Sequence, residues 1–435
     1  MPRPTIGFWT AVTLVLGNVI GSGVFLLPAS LAPYGGLALA GWLLSAAGSV
    51  LLALVFARLA RLNPAAGGIY AYTREAFGDL AGFLVAWGYW ISIWCAEAAL
   101  AVACVGYLDP FIPSLVRAPA SAAIIALTMV WLLTAVNIWG LQAAARVQFV
   151  TTALKILPLI VIGIAGIVVL QPSHFPLPAG GIRAAAGGVT ATATLTLWAF
   201  LGIECATIPA GAIRDPERTI PRATVTGALI AAVIYMLSTV GVMGVLAPSA
   251  LAASTAPFAD AARVLAGDRA AAIVALGAAV SCFGALNGWI LIAGQFPLAV
   301  ARDGLFPIPF AWLSRRDTPA AGMIIGSTFA TALVAANFSR SLVQLFTFII
   351  LLSTLSSLVL YAFCSLAVFL SRRSAAAGRA LPRAAAVIAS LAFAYSLWAI
   401  AGAGADVVYW GFLLLFGGLP VYVWIVQSRD SFTAR

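Results

Sequence analysis

The chain is nearly empty of the side chains that keep a protein in water. Asp, Glu, Lys and Arg make up 8% of its 435 residues, against 63% hydrophobic ones, and that balance excludes a soluble globule. Lysine occurs once, at Lys155, and histidine once, at His174 in a Pro-rich loop without ligand residues beside it. The five cysteines, Cys95, Cys104, Cys205, Cys282 and Cys364, all fall inside apolar stretches. Neither a disulfide framework nor a metal site is expected from them, and no cofactor is implied. The first hydrophobic segment is too long for a cleavable signal peptide and lacks a polar cleavage region.

What remains is a chain of long apolar runs. A bilayer span needs about 20 residues, and twelve such segments are predicted, at about 7–32, 37–60, 80–107, 120–139, 147–170, 189–212, 223–247, 271–300, 319–337, 343–370, 384–402 and 407–427. The connections are short, which leaves one membrane domain and no soluble one. The fold class predicted is therefore an all-α polytopic membrane protein.

The net charge of +10 would suggest nucleic acid in a soluble protein, but its placement argues otherwise. With the N-terminus in the cytoplasm, most arginines fall on the inner side: Arg58, Arg61 and Arg74; Arg214, Arg218 and Arg222; Arg302, Arg315 and Arg316; Arg372, Arg373, Arg379 and Arg383. The outer side receives only Arg117, Arg183, Arg263, Arg269 and Arg340. This is the positive-inside bias; it implies an even number of spans and two cytoplasmic termini. Nucleic acid is not an expected partner. The lipid bilayer is.

Two spans are built oddly. Gly17 to Phe25 reads GNVIGSGVF in the middle of the first, and Leu195 to Pro209 reads LTLWAFLGIECATIP in the sixth. Glycine lowers helix propensity by about 1 kcal/mol relative to alanine, so the helices are expected to unwind there. Unpaired backbone at that depth is tolerated only where it faces protein, water or substrate. Paired interruptions at corresponding places point to a transporter site between inverted repeats. The repeats would be residues 1–170 (spans 1–5) and 189–370 (spans 6–10), with spans 11 and 12 at 384–427 outside them.

Charged groups are concentrated around those breaks. Of thirteen acidic residues, only Glu97 and Glu204 lie deep in apolar sequence, where such groups face a cavity, pair, or titrate. Lys155, in TTALKILPLI, either snorkels to the headgroups or places an ammonium at the junction of spans 1, 5 and 8. The aromatics Tyr89, Trp90 and Trp94 of span 3, Trp198 and Phe200 of span 6 and Trp289 of span 8 gather near the acids, a favourable setting for an ammonium or guanidinium. The freed N–H groups at Ser22, Gly23 and Val24 begin a half-helix whose N-terminus attracts a carboxylate. The carbonyls of Val19 and Ile20, with those of Trp198 to Leu201, are placed to accept from an α-amino group. Together these describe a receptor for a zwitterion with a cationic or polar tail.

The stretches GNVIGSGVFLLPASLAPYGG, LWAFLGIECATIPAGAIRDPERTIPRAT, GWILIAGQ and RDGLFP resemble the amino acid–polyamine–organocation superfamily. The likeness is greatest to its bacterial arginine/agmatine antiporter branch, with the lysine/cadaverine and ornithine/putrescine antiporters near it. The resemblance covers essentially the whole chain. It implies the leucine-transporter fold, with five plus five inverted repeats, broken helices 1 and 6 and two extra helices. It also implies sodium-independent exchange of cationic amino acids or their amines, alternating access in a bacterial inner membrane, and often a homodimer.

Residue by residue, Val19 and Ser22 with the backbone of Gly21 and Gly23 match the family's site for the α-carboxylate and α-amino groups. Trp198 matches the gating tryptophan, Leu201 its apolar neighbour, Glu204 the glutamate tied to amine recognition, Trp289 the distal aromatic wall and Tyr89 a gate tyrosine. Where that branch has asparagine on span 3 this chain has Glu97, and Ser92 and Ile93 stand in place of an alanine–cysteine pair. Lys155 resembles the span-5 lysine of proton-coupled relatives. The alternative function is proton-coupled uptake of neutral amino acids, with Glu204 or Lys155 carrying the proton.

Overall fold

The computed structural model describes residues 7–21, 23–62, 69–139, 156–177, 181–204, 213–337, 339–370 and 381–433. Ser22 and Lys155 lie outside them. Among the described residues the regular structure is helical, with no strand. Fifteen helices carry the argument. They are α1 (Phe8–Val19), α2 (Gly23–Leu31), α3 (Leu37–Leu62), α4 (Ile69–Phe77), α5 (Asp79–Gly106), α6 (Pro119–Trp139), α7 (Ile156–Val168), α8 (Gly181–Leu197), α9 (Pro216–Val245), α10 (Pro257–Arg302), α11 (Ala320–Asn337), α12 (Leu342–Ala367), α13 (Arg383–Gly402), α14 (Ala405–Phe416) and α15 (Leu419–Thr433).

Among the described residues, nine stretches are long and apolar enough to cross a membrane. They coincide with predicted spans 2, 3, 4, 7, 8, 9, 10, 11 and 12. The other three are the ones that are interrupted or only partly described. Span 1 is split into α1 and α2, span 5 is described only from Ile156, and span 6 is described as α8 followed by a turn at Trp198–Phe200.

At the centre stands α5, whose apolar window is buried throughout. It packs on α12 and α10, so the third span is the post around which the others assemble. By contrast α6, α11, α13 and the α14–α15 segment bury only a minority of their apolar windows. Their exposed Leu132, Trp424 and Phe416 would be stranded in water, and lipid is the solvent that suits them.

Small residues set the closest approach. The α7 and α9 backbones meet at Gly163, Gly166 and Gly241, where a methyl group on Gly241 would sit 2.6 Å from the Gly163 carbonyl oxygen. In lipid, where no hydrophobic difference separates helix from solvent, such backbone contact is what holds spans together. Gly241→Leu is therefore expected to lower the thermal midpoint in detergent by several degrees. Overpacking of this kind costs about 1–3 kcal/mol, and a fluorescence-detected melting curve would show it.

The loops follow their sequences. The Gly- and aromatic-rich connection between spans 2 and 3 carries the short helix α4, which packs on α5. In the connection between spans 7 and 8, Ser254 Oγ accepts from Ala256 N at 3.3 Å, and α10 then begins at Pro257, earlier than span 8 was predicted to start. Ala266 and Gly267 break its regularity. Gly267, at φ +80°, adopts a conformation that costs glycine nothing, so the first ten residues of α10 form a separate helical segment.

Candidate transport site

The first break begins where α1 ends. Ile20 leaves the helix at φ −76°, ψ 84°, Gly21 N donates back to Val19 O at 2.9 Å, and α2 restarts at Gly23. A Cβ on Gly21 would lie 3.9 Å from Ala285 of α10 and 4.0 Å from Leu100 of α5. The break therefore sits in a crevice between spans 3 and 8. Trp289 lies four residues after Ala285, on the same face of α10, and so is directed toward that crevice.

The second break follows α8. Trp198–Phe200 form a tight turn, Leu201 is extended at φ −62°, ψ 135°, and Gly202 takes φ +102°, a backbone region open to glycine and strained for L side chains. The turn packs against α2, which brings the two breaks together. Val19, Ile20, Trp198, Leu201 and Trp289 are all buried, Trp198 at 6% and Trp289 at 8% exposure.

A residue not singled out in the sequence ties these breaks to each other. The Tyr235 hydroxyl of α9 lies 2.7 Å from Val19 O and 3.1 Å from Ala199 O, one carbonyl from each broken span. Its ring packs on Trp42 and Phe200, with centroids 5.2 and 5.5 Å away. Val19 O thus receives both Gly21 N and Tyr235, and a carbonyl has two lone pairs. The Val19 carbonyl, expected to accept from a substrate amine, is thus engaged within the protein itself.

Six residues beyond Trp198 stands a carboxylate. Glu204 is fully buried. Its Oε1 accepts from Tyr89 of α5 at 2.8 Å, its Oε2 from Tyr361 of α12 at 2.9 Å, and Oε2 also accepts from Gly202 N at 3.2 Å. One side chain at the broken sixth span therefore holds spans 3 and 10. Tyr361, like Tyr235, was missed in the sequence, although a tyrosine in the middle of an apolar span signals a buried hydroxyl that needs a partner.

Two predicted residues are turned elsewhere. Glu97 is fully buried, but its Oε2 accepts from Ser327 of α11 at 3.4 Å, and Ser327 in turn bonds Thr134 of α6 at 2.7 Å. It lies eight residues along α5 from Tyr89, about 12 Å along the axis and some 80° around it. The structure thus does not bring Glu97 to Glu204. Ser92 likewise faces α12, where Ser357 and Ser353 bond its hydroxyl at 2.8 and 3.3 Å. Among the described residues no cluster of His, Cys, Asp and Glu has the make-up of a metal site.

The sequence profile described as amino acid permease matches residues 6–426. The chain belongs to this amino acid permease family. It is accordingly a transporter, not an enzyme, and a multi-pass membrane protein. Among similar permeases, a Bacillus subtilis (strain 168) protein provisionally named an arginine/ornithine antiporter is 36% identical, covering 96% of each chain. A cadaverine/lysine antiporter of Escherichia coli (strain K12) is 34% identical over 76% of this permease and 74% of its own length. A putrescine transporter of Haemophilus influenzae is 30% identical over 98% of each.

Proposed function

We propose that this permease exchanges cationic amino acids and their decarboxylated amines across the bacterial inner membrane, by alternating access and without sodium. The observation that carries this reading is the buried Glu204 carboxylate six residues beyond Trp198, at the meeting of two broken spans. Buried carboxylates are expensive in lipid unless function requires them, and one beside an aromatic wall suits an ammonium or guanidinium. The relatives named for arginine, ornithine, lysine, cadaverine and putrescine support the same substrate class.

In this reading twelve spans form two inverted repeats, 1–170 and 189–370, with 384–427 outside them and both termini cytoplasmic. Substrate carboxylate binds at the α2 N-terminus around Ser22 and Gly23, the α-amino group at Ile20 and the Trp198–Leu201 turn, and the tail between Trp198 and Trp289. Tyr89 and Tyr361 hold Glu204 until substrate arrives. Lys155 takes the place that sodium would otherwise occupy.

Counterflow in proteoliposomes loaded with arginine, agmatine, ornithine, putrescine or alanine tests this directly. Exchange among the cationic compounds without an imposed gradient is expected. Exchange confined to alanine, or flux only under a proton gradient, would replace it with proton-coupled uptake of neutral amino acids.

Because Glu97 faces Ser327, Glu97→Gln is expected to leave the affinity for arginine and for alanine within about twofold of wild type, since an isosteric amide still serves that hydroxyl. Equilibrium binding of both ligands measures it. A selective loss for arginine would bring Glu97 back into the substrate site.

A further inference from the structure

A cavity lies at the end of the bundle opposite the arginine-rich loops, which the positive-inside rule makes the outer face. Its volume is about 990 Å³, and Ser30, Tyr34, Arg340, Gln344, Thr347 and Asp406 supply its polar lining. That is at the upper end of the roughly 300–1,000 Å³ of small-molecule sites. Leu195 also lines it, one helical turn before Trp198, so the cavity stands just above the broken helices. At its floor the Ser30 and Thr347 hydroxyls meet at 2.8 Å and join α2 to α12.

Two opposite charges line this space without using each other. The Arg340 guanidinium lies over the Phe348 ring, 4.7 Å from its centroid, and Phe348 lines the same cavity. Asp406 stands in the first turn of α14. Both are exposed, and neither forms an ion pair with a described residue. A cation and an anion in one concave, half-apolar space match a ligand that carries both signs.

We infer that this vestibule is an outer subsite that receives an amino acid before the central site does. Arg340 takes its carboxylate and Asp406 its cationic tail. The inference rests on the exchange reading above and adds sidedness to it. A decarboxylated amine has no partner for Arg340 and is repelled by it, so the outer face selects the amino acid over its own amine. An exchanger that binds the acid outside and releases the amine there gains direction from such a filter.

The test is transport kinetics in proteoliposomes of defined orientation, with arginine and agmatine as probes. Arg340→Gln is expected to raise the KM for external arginine about threefold to fivefold, the scale of an exposed charge pair. The KM for external agmatine should stay the same or fall, and the turnover and the KM from the inner face should not move. Asp406→Asn is expected to raise the external KM for both ligands. Arg340→Lys and Asp406→Glu should restore wild-type values, and high salt should erase the differences by screening.

Equal shifts for arginine and agmatine in Arg340→Gln, shifts on both faces, or wild-type kinetics in both neutral variants would overturn the inference. A merely structural role for Asp406 at the start of α14 would move the melting curve and leave KM alone. If the wild-type protein carried only neutral amino acids, the exchange reading would fail by itself. Arg340→Gln would then still raise the external KM for alanine if the carboxylate half of this subsite is right.

Discussion

Glu204→Ala is expected to reduce counterflow of cationic substrates by about 100-fold or more while the protein still inserts and purifies. The carboxylate accepts from Tyr89, Tyr361 and Gly202 N. Hydrogen bonds to a charged group contribute about 1.5–3 kcal/mol each, and removing the acceptor leaves two phenols buried without it. Breaking one link on each of spans 3 and 10 releases the closure beneath Trp198, so the barrier between the two faces is lost along with the counter-charge for a substrate amine. An exchanger needs both. Tyr89→Phe and Tyr361→Phe remove one bond apiece and are expected to act through the same carboxylate, so the double variant should cost less than the two effects added. Glu204→Gln separates shape from charge: it fills the same volume and accepts one phenol, yet offers no counter-ion. Exchange by Glu204→Gln within threefold of wild type would remove the carboxylate from the mechanism.

How far the sequence reached can be seen in these residues. Hydropathy located the uninterrupted spans closely, with α5 at Asp79–Gly106 against a predicted 80–107 and α6 at Pro119–Trp139 against 120–139, because lipid imposes length and apolarity at once. The breaks were legible too, since glycines in the middle of an apolar run have little other use. Direction was not. A span buried on every side, as α5 is, has no polar stripe to mark which face meets which neighbour. Depth alone therefore grouped Glu97 with Glu204, although the two carboxylates address different helices. The start of α10 escaped for a related reason: its first ten residues, set off by the break at Ala266 and Gly267, are neither apolar enough for a span nor polar enough for a loop. Tyr235 and Tyr361 were not singled out in the sequence, and only the carbonyls and the carboxylate brought to them by other helices showed their hydroxyls in use.

Tyr235→Phe removes one oxygen atom from a fully buried ring and is expected to lower exchange by about tenfold to thirtyfold, with a smaller loss in melting temperature. The packing on Trp42 and Phe200 is kept. What is lost is the single O–H that the Val19 and Ala199 carbonyls share. A buried carbonyl left without a partner costs about 1–3 kcal/mol, and here the cost falls on two breaks that have no helical hydrogen bonds to fall back on. Span 7 is intact, so through Tyr235 a rigid helix sets the distance between two irregular ones. Without it the unwound segments can relax toward local pairings of their own, and the carbonyls meant for a substrate amine are no longer presented together. The effect should therefore appear in substrate affinity as well as in rate, which distinguishes it from a simple loss of stability. Equilibrium binding and counterflow on the same preparation measure the two. Unchanged affinity with a lowered melting temperature would reduce Tyr235 to a packing residue, and tenfold weaker binding at wild-type stability would make it the element that holds both halves of the site in register.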